Sequence, residues 1–498
     1  MISALATWFA WANVNPPALV EDEMSYVFQS RLFASGRWTA PSPPLPEFFQ
    51  QSCVLTTPAV ASKFPPGHAL LLSVGALVDW PALVPLLLTA LTGALLFALV
   101  RRIANARVAV LAWIIWLGDP VLLRFRPSYF SEITTTFLWL CSWWALLEWR
   151  AARRREWLLA LAAAIGWGAI TRPLTMLAFA VPVGFVVVRD VMRTKRWADL
   201  SLAAGVGIAI LGILPLWSAR TTGNWRLAPL ALYNRDYMPY DKPGFGVDST
   251  PPRQALSPVN RFTYVGFFDA HVEHTPANLP RIAWERLAQI AHDEWSGPRL
   301  ALVPFVLLGL FSLGTAGAFA LACSGALFVG YMFYGHEAQW TLYYFEGLSV
   351  LSLLAALGIS AALDWARERA SIARSPSRLF TQPIVLASAA LMLLTGIELH
   401  ARRLIQQRNA GWTLAFEERL SQLPKHPKVV FVHYGPRIGP HAAVVTNSLD
   451  LADDPIWIVN DLGDRDAELM RYAGPRVPLA FDEDRLEFRV DRRLLGGQ

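Results

Sequence analysis

Long apolar runs alternate with short polar segments over most of the 498-residue chain. A helix that crosses a bilayer needs about 20 predominantly apolar residues. A short apolar segment, 1–14, lacks the basic start and cleavage site of a signal peptide and is predicted to be a first membrane helix. Ten further helices are predicted over residues 82–100, 107–124, 130–148, 157–172, 173–189, 198–217, 299–313, 316–334, 346–364 and 382–399. The pattern therefore predicts an all-α polytopic membrane protein with about eleven transmembrane helices.

Basic residues follow every second predicted helix. Their four clusters lie at residues 101–107, 150–155, 189–196 and 367–378. Because basic loops of membrane proteins stay on the cytoplasmic side, this alternation predicts an orientation with the N-terminus in the cytoplasm. The three longer segments that then lie on the outer face are 15–68, 218–298 and 400–498.

The last hundred residues have the pattern of a small α/β unit. Apolar, β-branched runs predict strands at 428–433 and 455–460, and a helical pattern follows a Gly turn at 464–472. The predicted organisation is a transmembrane domain over residues 1–399, which includes the outer loops, and a small soluble extracytoplasmic α/β domain over residues 400–498.

Composition agrees with a chain whose main solvent is lipid. Hydrophobic residues make up 54% and charged residues 16%, against roughly 25% charged residues in an ordinary soluble domain. These values exclude a soluble enzyme, a disordered chain and a fibrous protein. The three Cys residues are too few for a disulfide framework. Nucleic-acid binding is not expected, because the basic clusters are short and adjoin membrane helices.

Candidate chemistry begins in the first outer segment, with Glu21, Asp22, Glu23 and Tyr26. Three neighbouring carboxylates repel one another, so at least one should find a cation, a metal or a proton, or have a raised pKa. The acids can be the first turn of a solvated helix. Alternatively, one of them can be a general base or a metal ligand that faces a membrane-bound substrate.

The same segment ends with a lysine and a pair of prolines, followed by Gly67 and His68. The prolines delay the start of the next helix, so Lys63 is held near the lipid headgroups. There it would pair well with a lipid phosphate. The alternative is an ordinary interfacial lysine whose stem lies in lipid.

A second group of polar residues lies at the outer ends of later helices. Glu132 begins a long apolar helix, where an acid is electrostatically favoured, although acids at membrane depth usually have a function. Arg126 can bind phosphate or neutralise Glu132. Arg172 is a similar isolated cation at a tight turn.

Two other clusters have weaker signals. Asp269, His271, Glu273 and His274 invite a metal site, but their spacing is not that of a zinc motif, so a solvated loop is favoured. Aromatic residues at 336–346 can form an interfacial belt or stack on a sugar ring.

Several of these features recur in a fixed order in one known superfamily. They are Asp22-Glu23-Met24-Ser25-Tyr26, Lys63-Phe64-Pro65-Pro66-Gly67, Asp119-Pro120, Glu132 and Thr171-Arg172-Pro173. The order resembles the GT-C superfamily of membrane glycosyltransferases, in particular the branch of protein mannosyltransferases and aminoarabinose transferases. The resemblance covers roughly residues 1–365.

The resemblance implies an enzyme of the inner membrane that transfers a sugar from a polyprenyl-phosphate donor to an acceptor hydroxyl on the periplasmic or extracellular side, with inversion. It implies that Asp22 is the catalytic base, that Glu132 is a second catalytic acid, and that Lys63 holds the leaving phosphate. The remaining substrate-binding residues expected from it are Glu23, Tyr26, His68, Arg126 and Arg172.

Partners and alternatives follow from the same comparison. The acceptor can be a lipid, a glycan or a protein. The resemblance implies no certain cofactor and leaves a divalent cation open. A transporter or flippase of lipid-linked sugars is the alternative, although transporters usually have internal repeats. A non-catalytic membrane scaffold is a third possibility, but it gives the outer acids and Lys63 no role.

Overall fold

The computed structural model of the chain describes residues 1–372, 382–424, 426–435 and 444–497. Most of this part of the chain is helical. Its α-helices are α1 (Ile2–Trp11), α2 (Glu21–Ala34), α3 (Gly67–Ala76), α4 (Leu83–Ile103), α5 (Ala106–Leu117), α6 (Pro120–Phe125), α7 (Glu132–Ala152), α8 (Arg155–Ala169), α9 (Pro173–Thr194), α10 (Trp197–Leu211), α11 (Ile213–Thr222), α12 (Pro229–Tyr237), α13 (Pro258–Val272), α14 (Leu279–Trp295), α15 (Val303–Phe311), α16 (Thr315–Tyr331), α17 (Phe345–Ile372), α18 (Gln382–Ser421) and α19 (Asp466–Ala473). Its strands are β1 (Ala40–Pro41), β2 (Val54–Leu55), β3 (Ala59–Ser62), β4 (Lys428–His433), β5 (Ile456–Asn460), β6 (Val477–Asp482) and β7 (Glu487–Val490).

The chain divides into two compact units, each built from segments that are distant in sequence. The helical unit comprises Met1–Val14, Pro85–Leu211 and Thr275–Gln406. The mixed unit comprises Asn15–Val84, Gly212–His274 and Gln407–Gln498. The mixed unit therefore contains parts of all three segments that the sequence predicts to lie on the outer face.

Within the described residues, five helical segments are long and apolar enough to cross a membrane. They are Leu83–Ile103, Pro173–Thr194, Trp197–Thr222, Thr341–Arg369 and Val385–Ser421. A sixth span results if Gly297–Phe311 and Thr315–Tyr331, which bend by 118° at their junction, count as one. A multi-pass, mostly helical membrane protein is confirmed, whereas the count of eleven helices is not.

Local breaks explain why the helical segments differ from the predicted runs. The run 107–124 divides at Asp119, whose carboxylate accepts a hydrogen bond from the Leu122 amide at 2.9 Å and so caps a new helix. The run 157–172 is the 15-residue helix α8, which ends before the Thr171-Arg172-Pro173 turn. An apolar run thus predicts membrane immersion better than it predicts a single continuous helix.

The helical unit has one large apolar core, formed by helices α4, α5, α7, α8, α9, α16 and α17. Trp139 and Phe179 pack there with ring centres 4.1 Å apart. A Cβ atom at Gly309 would overlap the carbonyl oxygen of Leu354 across the interface between α15 and α17. The absence of a side chain at Gly309 therefore allows these two helices to pack closely.

The predicted cytoplasmic clusters contain ion pairs. Asp190 accepts hydrogen bonds from Arg150 and Arg153, each at 3.1 Å. The last cluster, 367–378, is described only as far as residue 372. The orientation of the chain in the membrane stays a prediction.

The mixed unit contains two sheets. The small antiparallel sheet has the strand order β1-β3-β2 and lies in the first outer segment. The larger sheet has the order β5-β4-β6-β7, with β4 parallel to β5 and β6, and β7 antiparallel to β6. In its register, Val430 pairs with Ile458 on one side and with Leu479 on the other.

Strands β4 and β5 confirm the strands predicted near 428–433 and 455–460, and α19 confirms the helix predicted near 464–472. The sequence pattern predicts neither β6 nor β7. One face of this sheet buries Phe48 and Phe49 from the first outer segment beside Trp457 and Leu469. Asn460 also donates hydrogen bonds to two carbonyl oxygens of that segment. Because this core is shared, the independence of the C-terminal domain stays a prediction.

Candidate active site

The three carboxyl groups at the start of α2, those of Glu21, Asp22 and Glu23, lie in different environments. Glu21 is buried, and its Oε1 atom has no hydrogen-bond partner among the described residues. Burial raises the pKa of Glu21 to about 8, so this group is largely protonated at neutral pH. Glu23 accepts a hydrogen bond from the Leu19 amide at 3.2 Å. The expectation that one of the three acids has a raised pKa is thus confirmed.

Asp22 lies between these two acids and is half-buried. Its Oδ1 accepts a hydrogen bond from the Cys53 thiol, with Sγ at 3.1 Å. Burial raises the pKa of Cys53 well above its ordinary value. The thiol therefore keeps its proton and donates a hydrogen bond to the carboxylate.

Lys63 follows β3 and precedes the two prolines that delay the start of α3. Its amide donates to the Cys53 carbonyl oxygen at 3.0 Å. Its Nζ lies 4.7 Å from the centre of the Tyr233 ring and 5.1 Å from that of Phe64. Among the residues that the structure describes, no carboxylate oxygen lies within 4.0 Å of Lys63 Nζ. The cation thus faces aromatic rings and is available to an anion.

The charge of Lys63 is maintained by its surroundings. Burial opposes the charged form, whereas the nearby carboxylates of Asp241 and Asp22 favour it, and the pKa of Lys63 is raised well above its ordinary value. Lys63 is therefore an ammonium ion at neutral pH.

Tyr26 and His68 pack beside Phe64, the residue that follows Lys63. The Tyr26 ring stacks on Phe64 with centres 4.8 Å apart, and meets the His68 ring edge-on at 4.9 Å. Both side chains are buried. Their packing fixes the residue next to Lys63, and their contact with a substrate stays a prediction.

A second polar cluster lies in the helical unit, around Arg172. Its guanidinium donates a hydrogen bond to Glu132 and another to the Tyr331 hydroxyl, the latter at 3.0 Å. Its Nε lies 3.6 Å from Glu346 Oε1, which also accepts a hydrogen bond from Thr135. Glu132 and Glu346 are both almost fully buried. Arg172 thus neutralises acids from two helices, α7 and α17.

Arg126 also lies in the helical unit, where its guanidinium binds carbonyl groups of the backbone. Its guanidinium donates to the carbonyl oxygens of Trp116 at 2.7 Å and Leu117 at 3.2 Å, at the C-terminal end of α5, and lies 4.1 Å from the Trp116 ring centre. These contacts cap a helix. A contact of Arg126 with substrate stays a prediction.

The cluster that contains His271 and His274 was the candidate metal site in the sequence. Within the described residues, no three His, Cys, Asp or Glu side chains are placed to hold a metal ion. His271 Nε2 lies 3.8 Å from Asp241 Oδ1, and the His274 ring stacks on Phe245. Divalent-metal dependence stays open.

Sequence reasoning did not identify Arg286. Its guanidinium donates to three carbonyl oxygens of the aromatic segment at 331–336, and burial lowers its pKa. Tyr343 of the neighbouring segment packs on His336 with ring centres 4.4 Å apart. In the sequence, Arg286 is one of several arginines of the outer segment 218–298, and nothing in that pattern reveals a buried guanidinium.

Comparisons with known proteins agree with this fold. Residues 63–218 match the family model of the dolichyl-phosphate-mannose-protein mannosyltransferases. The chain is similar to the structure of ArnT from Cupriavidus metallidurans bound to undecaprenyl phosphate, with 16% sequence identity and a TM-score of 0.59 over 97% of this chain and 92% of that chain. The apo structure of the same protein gives 16% identity and a TM-score of 0.58 over the same shares. The comparison with curated proteins gives no significant match.

The fold defines a multi-pass membrane protein of the GT-C type. The mannosyltransferase family match and the similarity to ArnT confirm the predicted resemblance to the GT-C superfamily. Together they support a membrane glycosyltransferase.

Proposed function

We propose that this chain transfers a sugar from a polyprenyl-phosphate donor to an acceptor hydroxyl at the outer face of the cell inner membrane. The observation that carries the proposal is the common contact of Asp22 and Lys63 with Cys53, one through its thiol and the other through its backbone. An acid and a cation held by one residue are the two groups that such a transfer needs.

The proposed reaction is an inverting displacement at the anomeric carbon. Asp22 accepts the proton of the acceptor hydroxyl while the oxygen of that hydroxyl forms the new bond to the anomeric carbon. The bond between the carbon and the phosphate oxygen breaks, and the electron pair leaves with the phosphate. The Lys63 ammonium stabilises the negative charge that develops there.

We assign Glu132 an electrostatic role rather than that of the base. Its carboxylate is almost fully buried and already accepts a hydrogen bond from Arg172. Arg172 in turn is shared with Glu346. In this proposal Glu132 and Arg172 keep the outer ends of α7 and α9 in register, and Asp22 takes the proton.

The donor lipid follows from the comparison with ArnT, whose structure contains undecaprenyl phosphate. We propose a polyprenyl phosphate of that kind, with a lipid, a glycan or a protein as acceptor. The N-terminus would lie in the cytoplasm and residues 400–498 outside. Cysteines introduced at the exposed Thr250 and at the exposed Tyr472 should then react with a membrane-impermeant reagent in whole cells, and protection of both would contradict this topology.

A transporter or flippase of lipid-linked sugars is the second candidate. The observation in its favour is the 118° bend between Gly297–Phe311 and Thr315–Tyr331, because transporters often build substrate sites from interrupted helices. The two functions differ in chemistry, since only a transferase breaks the bond between sugar and phosphate.

The experiment uses purified protein and a lipid extract from the cells of origin, with release of undecaprenyl phosphate measured by mass spectrometry. We expect wild-type protein to release it and Asp22→Asn to lose at least about 100-fold in rate, as for loss of a general base. Wild-type protein that moves the donor across vesicles without releasing undecaprenyl phosphate would favour the flippase. A fully active Asp22→Asn variant would refute the base assignment.

A further inference from the structure

Cys53 contacts the segments that carry both charged groups of the proposed site. Its thiol donates to Asp22 Oδ1, with Sγ at 3.1 Å. Its carbonyl oxygen accepts the amide of Lys63 at 3.0 Å and the hydroxyl of Ser25 at 2.9 Å. One residue thus joins the start of α2, which carries the acid, to the end of β3, which carries the cation.

The backbone of Cys53 is fixed on its other side by Tyr233. The Cys53 amide donates to the Tyr233 hydroxyl oxygen at 3.1 Å, and that hydroxyl donates to Asn260 Oδ1 at 3.3 Å. Asn260 Oδ1 also accepts the Ser52 hydroxyl at 2.7 Å. These partners are buried, so the position of Cys53 is set by α12 and α13.

The conformation of Cys53 does not favour a side chain. Its φ angle is 64°, in the left-handed region, where residues other than Gly, Asn and Asp are uncommon. A turn of this shape alone would accept Gly more readily. The thiol is the group that Gly would not supply, and the Asp22 carboxylate is its partner.

We propose that Cys53 is a positioning residue for the transfer reaction, whose thiol orients the Asp22 carboxylate toward the acceptor hydroxyl. The inference rests on the proposed function of Asp22 as the base. A thiol is a weak donor, but a hydrogen bond to a charged acceptor is stronger than one between neutral groups. Because burial keeps the thiol protonated, the donor is present throughout the neutral range.

Two substitutions of similar size separate this role from packing. Cys53→Ala and Cys53→Ser both remove the sulfur and differ only in the hydroxyl, so Cys53→Ala loses the donor and Cys53→Ser keeps one. We expect Cys53→Ala to lower the maximal rate of undecaprenyl phosphate release about 10-fold, which corresponds to roughly 1.4 kcal/mol. The extract concentration that gives half the maximal rate should change less than about twofold. Cys53→Ser should recover to within about threefold of wild type.

Failure of the positioning role of Cys53 can be told apart from failure of the proposed role of Asp22 as the base. If Asp22→Asn is inactive and Cys53→Ala is as active as wild type, the positioning role fails and the base assignment stands. If Asp22→Asn is fully active, the base assignment itself fails. Equal losses in Cys53→Ala and Cys53→Ser would mean that packing matters and the donor does not, and would also overturn the inference.

A spectroscopic measurement tests the hydrogen bond independently of the reaction rate. The S–H stretching band of Cys53 is isolated as the infrared difference between wild type and Cys53→Ser. We expect Asp22→Asn to shift this band to higher frequency, because an amide oxygen is a weaker acceptor than a carboxylate. An unchanged band would show that the thiol does not donate to Asp22.

Discussion

The ammonium nitrogen of Lys63 lies 4.7 Å from the centre of the Tyr233 ring. An aromatic face attracts a cation without cancelling its charge. Since no carboxylate of the described residues forms a salt bridge with Lys63, the lysine can still bind an anion. Tyr233 comes from α12, far along the chain, so the cation site is completed by the second outer segment.

This relationship predicts a graded loss of anion binding. Lys63→Ala should weaken binding of undecaprenyl phosphate at least about 10-fold, as expected for a charge-assisted hydrogen bond. Tyr233→Leu and Tyr233→Phe both lose the hydroxyl that accepts the Cys53 amide, and only Tyr233→Phe keeps the ring. Tyr233→Leu should therefore bind the lipid about two- to fivefold more weakly than Tyr233→Phe, the size of one cation–π contact. Binding of the lipid to purified protein measures all three, and unchanged affinity in Lys63→Ala would exclude the phosphate role.

Arg172 neutralises two buried carboxylates, so its removal should be costly. Arg172→Ala leaves Glu132 and Glu346 without their common cation, and we expect a loss of about 3–5 kcal/mol in the free energy of unfolding. Adding Glu132→Gln to Arg172→Ala should recover part of that loss. Thermal unfolding in detergent measures the effect, and equal stability of wild type and Arg172→Ala would contradict the importance of the ion pair.

Glu21 should make the stability of the protein fall as the pH rises. Burial raises its pKa from 4.5 to about 8, so between these values the folded state holds a proton that the unfolded state has lost. The linkage relation then gives decreasing stability with rising pH, by a few kcal/mol at most. Glu21→Gln cannot ionise, so its stability relative to wild type should increase from pH 5 to pH 9. A difference that is constant across this range would show that Glu21 is not buried as a neutral acid.

Phe48 connects the first outer segment to the C-terminal sheet. The side chain is fully buried in the core that also contains Phe431 and Leu469. Phe48→Ala should cost about 3–5 kcal/mol and speed the proteolysis of residues 428–490. The control is Tyr472→Ala, an aromatic residue at an exposed position of the same unit. Unchanged proteolysis in Phe48→Ala would mean that the C-terminal sheet is stable without this contact.

Much of the fold can be predicted because its signals are local. Apolar runs report immersion in the membrane, and the β-branched segments at 428–433 and 455–460 report strands. Helix ends were less predictable, because Asp119-Pro120 starts a new helix inside an apolar run. The strand β7 escaped prediction because it has only four residues and most of them are exposed.

The sequence by itself determined that this chain lies in a membrane. It also determined that Asp22, Lys63, Glu132 and Arg172 lie beside predicted membrane helices, because both conclusions depend only on residues that are neighbours along the chain. Only the tertiary structure decided which side chains meet. Cys53 lies 31 residues from Asp22 and 180 residues from Tyr233, yet hydrogen-bonds to both. Such contacts depend on how distant segments pack, and a pattern along the chain does not contain that information.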